Sequence, residues 1–209
     1  MQRLLLVMCL IGLVLLTACE TQGRATRGFI DAFEDNPLMA ETIADQLIEF
    51  VTDLQIIANE RKQPIKDAAI LRAMDDTFIE ARRIRDEAFR KQDQGKKGAF
   101  HGVQESSVEG EVILVEETLY FGYDFRTDVA INTRVLLSKH VAPSTEAELQ
   151  SEPTLDLGLL QNILGPQEYH VGPLSASDWN QYRTVALYSA PLKRVMGYAQ
   201  IRGKPRKEE

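Results

Sequence analysis

Gly95-Lys96-Lys97-Gly98 is the point at which the chain changes grammar. Between residue 20 and this point there is no Tyr or Trp, and Pro37 and Pro64 are the only prolines. Beyond it lie all six tyrosines, the single tryptophan and the other six prolines. Long stretches without breakers favour helices, whereas aromatic residues punctuated by proline favour strands and turns. The expected class is α+β: an N-terminal helical hairpin followed by an all-β, sandwich-like domain of about seven strands.

Asn36-Pro37 is a helix start, with Asn36 as cap and Pro37 at the first helical position, where its missing N–H costs nothing. Ile43, Leu47, Phe50, Val51, Leu54 and Ile57 recur at intervals of three and four, so they share one face. This helix is expected to end near Asn59, with Pro64 restarting the chain. A second stripe, from Ala68 through Leu71, Met74, Phe78, Ala81 and Ile84 to Ala88, predicts an antiparallel partner. The basic residues crowding its end, from Arg82 to Lys97, interleave with Glu80, Asp86, Glu87 and Asp93 and read as a solvated face. The stripes are core by default; a face for oligomerisation or for docking another envelope protein is the sharper alternative.

After Gly98 the apolar runs shorten to 108–115, 119–125, 134–138, 155–160, 169–171, 184–189 and 195–201. They are separated by Glu116-Glu117, Asp128, Pro143, Pro166 and Pro191. That spacing is the pattern of a sandwich or flattened barrel, with the sandwich preferred.

The first residues carry a separate message. Arg3 precedes an uncharged run from Leu4 to Leu16, and Leu16-Thr17-Ala18-Cys19 closes it. The run is short for a spanning helix and has the layout of an export signal. Its end resembles the lipobox of bacterial lipoproteins, which implies cleavage between Ala18 and Cys19 and a covalent lipid on Cys19. Multiple acyl chains there would give a durable membrane anchor. Cys9 and Cys19 are the only cysteines. The mature chain is therefore expected to have no free thiol and no disulfide. The expected organisation is 1–18 signal peptide, 19–28 lipidated tether, 29–97 helical hairpin, 98–201 β-domain and 202–209 polar tail. The expected location is outside the cytoplasm, with the periplasmic face of the outer membrane favoured in a host with two membranes, because Glu20 is not the aspartate associated with inner-membrane retention. A net charge of −7 argues against a nucleic-acid partner.

In the β half, Phe100-His101-Gly102 leads to Gly110-Glu111-Val112, then Leu119 with Asp124-Phe125-Arg126-Thr127-Asp128, then Val135-Leu136-Leu137-Ser138. The series continues through Leu155-Asp156-Leu157-Gly158-Leu159-Leu160, Gln167-Glu168-Tyr169, Thr184-Val185-Ala186-Leu187-Tyr188 and Gly197-Tyr198-Ala199. In order and spacing these elements resemble the DM-thirteen family, a small β-domain. The family's proposed electron-transfer role, which the resemblance implies, is tied to a cysteine after a hydrophobic-aromatic pair. Here that pair is Leu187-Tyr188 and the next residue is Ser189, which has no thiol chemistry.

Asp124 and Asp128 bracket a turn, where carboxylates bind cations or cap the turn; capping is the simpler role. Together with Tyr188 and Ser189 they form the candidate ligand or partner surface. His101, His140 and His170 lack metal-motif spacing, so no metal site is expected. Asp156 reads as a strand-exit residue, and the aromatic set from Tyr120 to Tyr198 reads mostly as core. There is no phosphate loop and no nucleophile elbow around Ser189. No catalytic residue is assigned and no cofactor is expected beyond the lipid on Cys19. The reading leans away from an enzyme and toward a lipid-anchored binding or accessory module for an envelope protein or small ligand. An electron-transfer accessory protein is the alternative.

Overall fold

The computed structural model describes residues 35–61, 65–128 and 131–206. The signal, Ala18, Cys19, the tether, Pro64 and Val129-Ala130 lie outside the described residues.

Helix α1 (Pro37–Glu60) begins where the cap and proline place it: the Asn36 side chain accepts from the Leu38 and Met39 amides at 3.1 and 3.4 Å. Helix α2 (Ala68–Gln94) begins later than Pro64 would suggest. Asp67 is its cap, accepting from the Ala69 and Ile70 amides at 2.8 and 3.4 Å. The two run antiparallel: Gln92 Nε2 donates to the Pro37 carbonyl at 3.0 Å and to Glu41 at 2.6 Å, while Arg85 meets Asp45 farther along. At 1.5 Å per residue the arms are about 36 and 40 Å long. Their buried positions include Ala44 and Val51 in α1 and Met74, Ala81, Ile84 and Ala88 in α2; of the stripe expected in α1 only Val51 is buried, with Ile43, Leu47, Phe50 and Leu54 half-buried and Ile57 exposed. The basic face of α2 is charge-paired as expected, with Arg83 between Glu80 (2.7 Å) and Glu87 (2.9 Å). The hydrogen bond from Arg83 holds the Glu80 carboxyl below its ordinary range.

The β-domain comprises β1 (Lys96–Gly102), β2 (Val108–Glu109), β3 (Glu111–Val115), β4 (Thr118–Phe121), β5 (Arg126–Thr127), β6 (Thr133–Ser138), β7 (Thr154–Leu159), β8 (Gln167–His170), β9 (Thr184–Ser189), β10 (Arg194–Gln200) and β11 (Arg202–Gly203). Short helices α3 (Glu146–Gln150) and α4 (Ala176–Gln181) lie in the connections. The α+β class stands as read, with eleven strands among the described residues in place of about seven. Two of the additions have clear causes. Lys96 and Lys97 read as the basic end of the second helix, but Lys96–Gly102 forms a strand paired with both β3 and β10. The run 108–115 is split at Gly110, where φ is +115° and a Cβ would stand 2.4 Å from the Phe125 Cα.

The main sheet is antiparallel throughout, in the order β7-β6-β9-β10-β1-β3-β4-β8, with β11 beside β1; β2 and β5 form a separate pair. It curls until the connection between its two edges is stapled, giving a nearly closed barrel. Tyr169 Oη donates to Gln167 Oε1 at 2.6 Å and accepts from the Gln161 amide at 3.0 Å. Burial pushes the Tyr169 hydroxyl up to about 12.

Alternation along each strand separates two faces. The inner face forms the main core, in which Phe100, Phe121, Phe125 and Tyr169 pack ring to ring at centroid distances of 4.7–5.4 Å. Part of the outer face is covered by α3 through Leu149, over Leu136, Ala186 and Val195. Another part is covered by α1, whose Leu38 packs on Ile113 and Val115. Asn36 fixes this join, its Nδ2 donating to the Phe121 carbonyl at 3.1 Å. Among the described residues no helix is long and apolar enough to cross a membrane.

Candidate functional site

Strand β9 lies between β6 and β10, the most enclosed part of the sheet. Leu187 points into the main core, so the residue two positions on does the same. Ser189 is accordingly fully buried, and its Oγ donates to the Ile131 carbonyl at 2.8 Å. Its backbone stands opposite Thr133 on one side and Arg194 on the other. This hydroxyl satisfies a carbonyl in the loop entering β6 and ties that loop to the sheet.

Tyr188 faces the opposite way, toward α3, and donates its hydroxyl to the Glu146 carboxylate. That bond, with partial burial and the negative charge of Glu146, pushes the phenol up to about 12. Glu146 is held in place by the helix that contains it. Thr145 caps α3 by accepting from the Glu148 amide, and Glu148 accepts in return from the Thr145 amide at 3.2 Å. Hydrogen bonds from Ser144 and Thr145 hold the Glu148 carboxyl low.

Both aspartates accept backbone N–H groups. Asp124 Oδ1 takes the Glu111 amide at 3.0 Å, fixing the turn after β4 against the start of β3. Asp128 Oδ2 takes the Ser107 amide at 2.5 Å, while the Asp128 amide donates back to the Ser107 carbonyl at 3.0 Å. This reciprocal clip extends the β2–β5 ladder by one pair. The four residues singled out from sequence therefore engage four different groups, on Glu111, Ser107, Glu146 and Ile131. Their hydrogen bonds do not converge on a shared hollow.

The remaining candidates are also distributed. His101 lies in β1, His140 just after β6 and His170 at the end of β8. Asp156 lies within β7, beside an irregularity in its pairing with β6, and meets Arg134 Nε at 2.6 Å. Of the aromatic set, Trp179, Tyr169 and Tyr182 are buried, Tyr120, Tyr188 and Tyr198 are half-buried, and Tyr123 is exposed. An aromatic groove needs several such side chains exposed together.

An open cleft of about 500 Å3 lies along the β1–β2 loop, lined in part by His101, Gln104, Glu105 and Ser107. Asp128 borders it through its clip to Ser107. Arg194 Nη2 reaches Ser106 Oγ at 3.0 Å from the strand opposite Ser189. This cleft is the nearest feature to a shared surface for the sequence candidates.

One basic residue departs from the solvated face that the sequence suggests: Lys96 is only 5% exposed. The legible signal is the two-residue period Lys96, Gly98, Phe100, which puts the lysine on the same face as a buried phenylalanine.

Residues 100–201 match the model of a family described as Electron transfer DM13. The β-domain is DM13-like. The matched span begins within β1 and ends after β10, and takes in none of the helical hairpin. Neither a search of curated proteins nor a search of solved structures returned a match. In the DM13-like domain, Ser189 lies in the interior.

Proposed function

We propose that the chain is an extracytoplasmic, membrane-anchored lipoprotein whose DM13-like domain is a non-enzymatic binding or accessory module of the cell envelope. Ser189 carries this reading. Thiol electron transfer needs a sulfur that can be approached by its partner. The side chain here is a fully buried hydroxyl already engaged with the Ile131 carbonyl. The anchor is supported by the sequence: Leu16-Thr17-Ala18-Cys19 ends an apolar run, and lipid on Cys19 would use the last thiol of the mature chain.

In this reading the lipid on Cys19 is the only covalent addition, no cofactor is required, and the protein sits on the periplasmic face of the outer membrane in a two-membrane host. The partner is another envelope protein or a small ligand. Crosslinking in native membranes, followed by pull-down and mass spectrometry of the mature N-terminus, tests both halves. The expected outcome is a diacylglyceryl-modified Cys19 and a specific envelope partner or ligand whose capture depends on the DM13-like domain. A chain beginning elsewhere overturns the anchor. Turnover of a defined substrate, abolished by changing one residue, overturns the non-enzymatic role.

The family description supports a second reading, an electron-transfer accessory protein. Without a thiol at position 189 it would work through a bound redox group, and the two readings differ in whether protein from native membranes undergoes a reversible redox transition.

A further inference from the structure

Lys96 opens β1 facing inward, and its ammonium donates to the Tyr182 carbonyl at 2.6 Å and to the Trp179 carbonyl. It also lies 5.5 Å from the Trp179 ring, on which the Arg206 guanidinium stacks at 3.8 Å. Nearby cations are neutralised: Lys97 by Glu111, Lys139 by Asp178 and Lys204 by Asp93. Among the described residues, no carboxylate pairs with Lys96, Arg183, Arg202 or Arg206. Burial and the charges of Arg183 and Arg206 press the Lys96 ammonium down to about 8. A buried cation flanked by like charges is the situation that a bound anion relieves.

A pocket of about 310 Å3 opens at this point, its lining including Lys96, Arg183, Arg202, Asn180, Gln200 and Val141. Three separate segments supply the cations: β1, the connection from α4 to β9, and β11. Among the described residues no carboxylate lines the pocket, although the whole chain carries a net charge of −7. Asn180 is committed elsewhere. Its side chain accepts from the Arg206 amide and donates to the Arg206 carbonyl, both at 3.0 Å, which fixes the C-terminal segment beside the pocket.

We propose that this pocket is a binding site for a phosphate group, held by Arg183 and Arg202, with Lys96 among the residues that line it. Guanidinium forks match phosphate oxygens in geometry as well as charge. The group belongs to a small phosphorylated molecule or to a lipid headgroup. The site is independent of whether the chain is lipidated and of the surface around Ser189.

Trp179 is the only tryptophan and lies against Lys96 and Arg206, so its fluorescence reports on changes beside this pocket. The full-length protein is titrated with inorganic phosphate at constant ionic strength. In parallel it is mixed with phosphatidylcholine vesicles with and without phosphatidic acid. The expected result is a saturable Trp179 response, weakened about tenfold or more in Arg183→Gln and in Arg202→Gln. Lys193→Gln, which removes an exposed charge from the β9–β10 turn, leaves it unchanged. A response to free phosphate identifies a soluble ligand group, and a response only to phosphatidic acid identifies a headgroup; either supports the site. No response to either probe overturns it, as does a response that both arginine variants retain in full.

Discussion

The helical hairpin and the β-domain both carry apolar stripes of the period their elements require, but only the β-domain encloses its stripe. In the barrel, Val112, Leu119, Phe121, Val135, Leu137, Val185 and Leu187 are all fully buried. In the hairpin the seam is narrow, and Ile56, Ile57, Ile70 and Leu71 remain exposed near the turn between the helices. Two helices offer each other one face, whereas a curled sheet covers its inner face from all sides. The hairpin is therefore held mainly at its base, by Asn36, Gln92 and Leu38, and its far end is the less stable part of the same compact unit.

This contrast sets an order of expected effects. The largest belongs to the barrel: Phe121→Ala removes a ring packed against three others and should cost about 3–5 kcal/mol in denaturant unfolding. A loss below about 1 kcal/mol would mean that the barrel is not the dominant core.

A second test uses pH. The Lys96 ammonium, facing Arg183, Arg206 and the Trp179 and Tyr182 carbonyls, titrates at about 8 when folded against an ordinary 10.5. Between these values the unfolded chain holds more protons, so stability should rise with pH and the penalty should be fully present below about 8. Relative to Lys96→Met, the wild type should gain about 1–2 kcal/mol between pH 8 and 10.5, the shift being weakened by solvent screening. Parallel curves would show that the ammonium is not perturbed by its surroundings.

Asn36→Ala removes both the α1 cap and the bond to Phe121, and about 1–2 kcal/mol of stability is expected to go with them. Hydrogen exchange should quicken in α1 while β6 and β9 stay protected. Equal acceleration in both would erase the distinction between the regions. The smallest effect is expected on the exposed face of α2: Ile79→Ser, at a residue 66% exposed, should change stability by less than about 0.5 kcal/mol. A larger loss would reveal that this face is covered in solution.

The same contrast governs what was legible in the sequence. Helices announce themselves through local signals, and Asn36-Pro37 and the three- and four-residue spacing place α1 almost to the residue. Asp67 was harder to find because Pro64 offers a competing start. Strand β1 is obscured because its lysines read with the basic end of the second helix, and only pairing with β3 and β10 makes it a strand. At the candidate site, the turn role of Asp124 and Asp128 follows from local chemistry. The Lys96 pocket does not, because its lining is assembled from residues that lie up to 107 positions apart in sequence. The interior placement of Ser189 follows from alternation along β9, once the burial of Leu187 is known.

The central claim is that the DM13-like domain binds without carrying electrons through position 189. The most direct test is a spectroelectrochemical titration of the protein purified from native membranes, alongside Ser189→Cys. The expected result is no reversible redox transition in the wild type, and in the variant a thiol that labels only after unfolding, since position 189 is buried. A reversible transition in the folded wild-type protein would contradict the account.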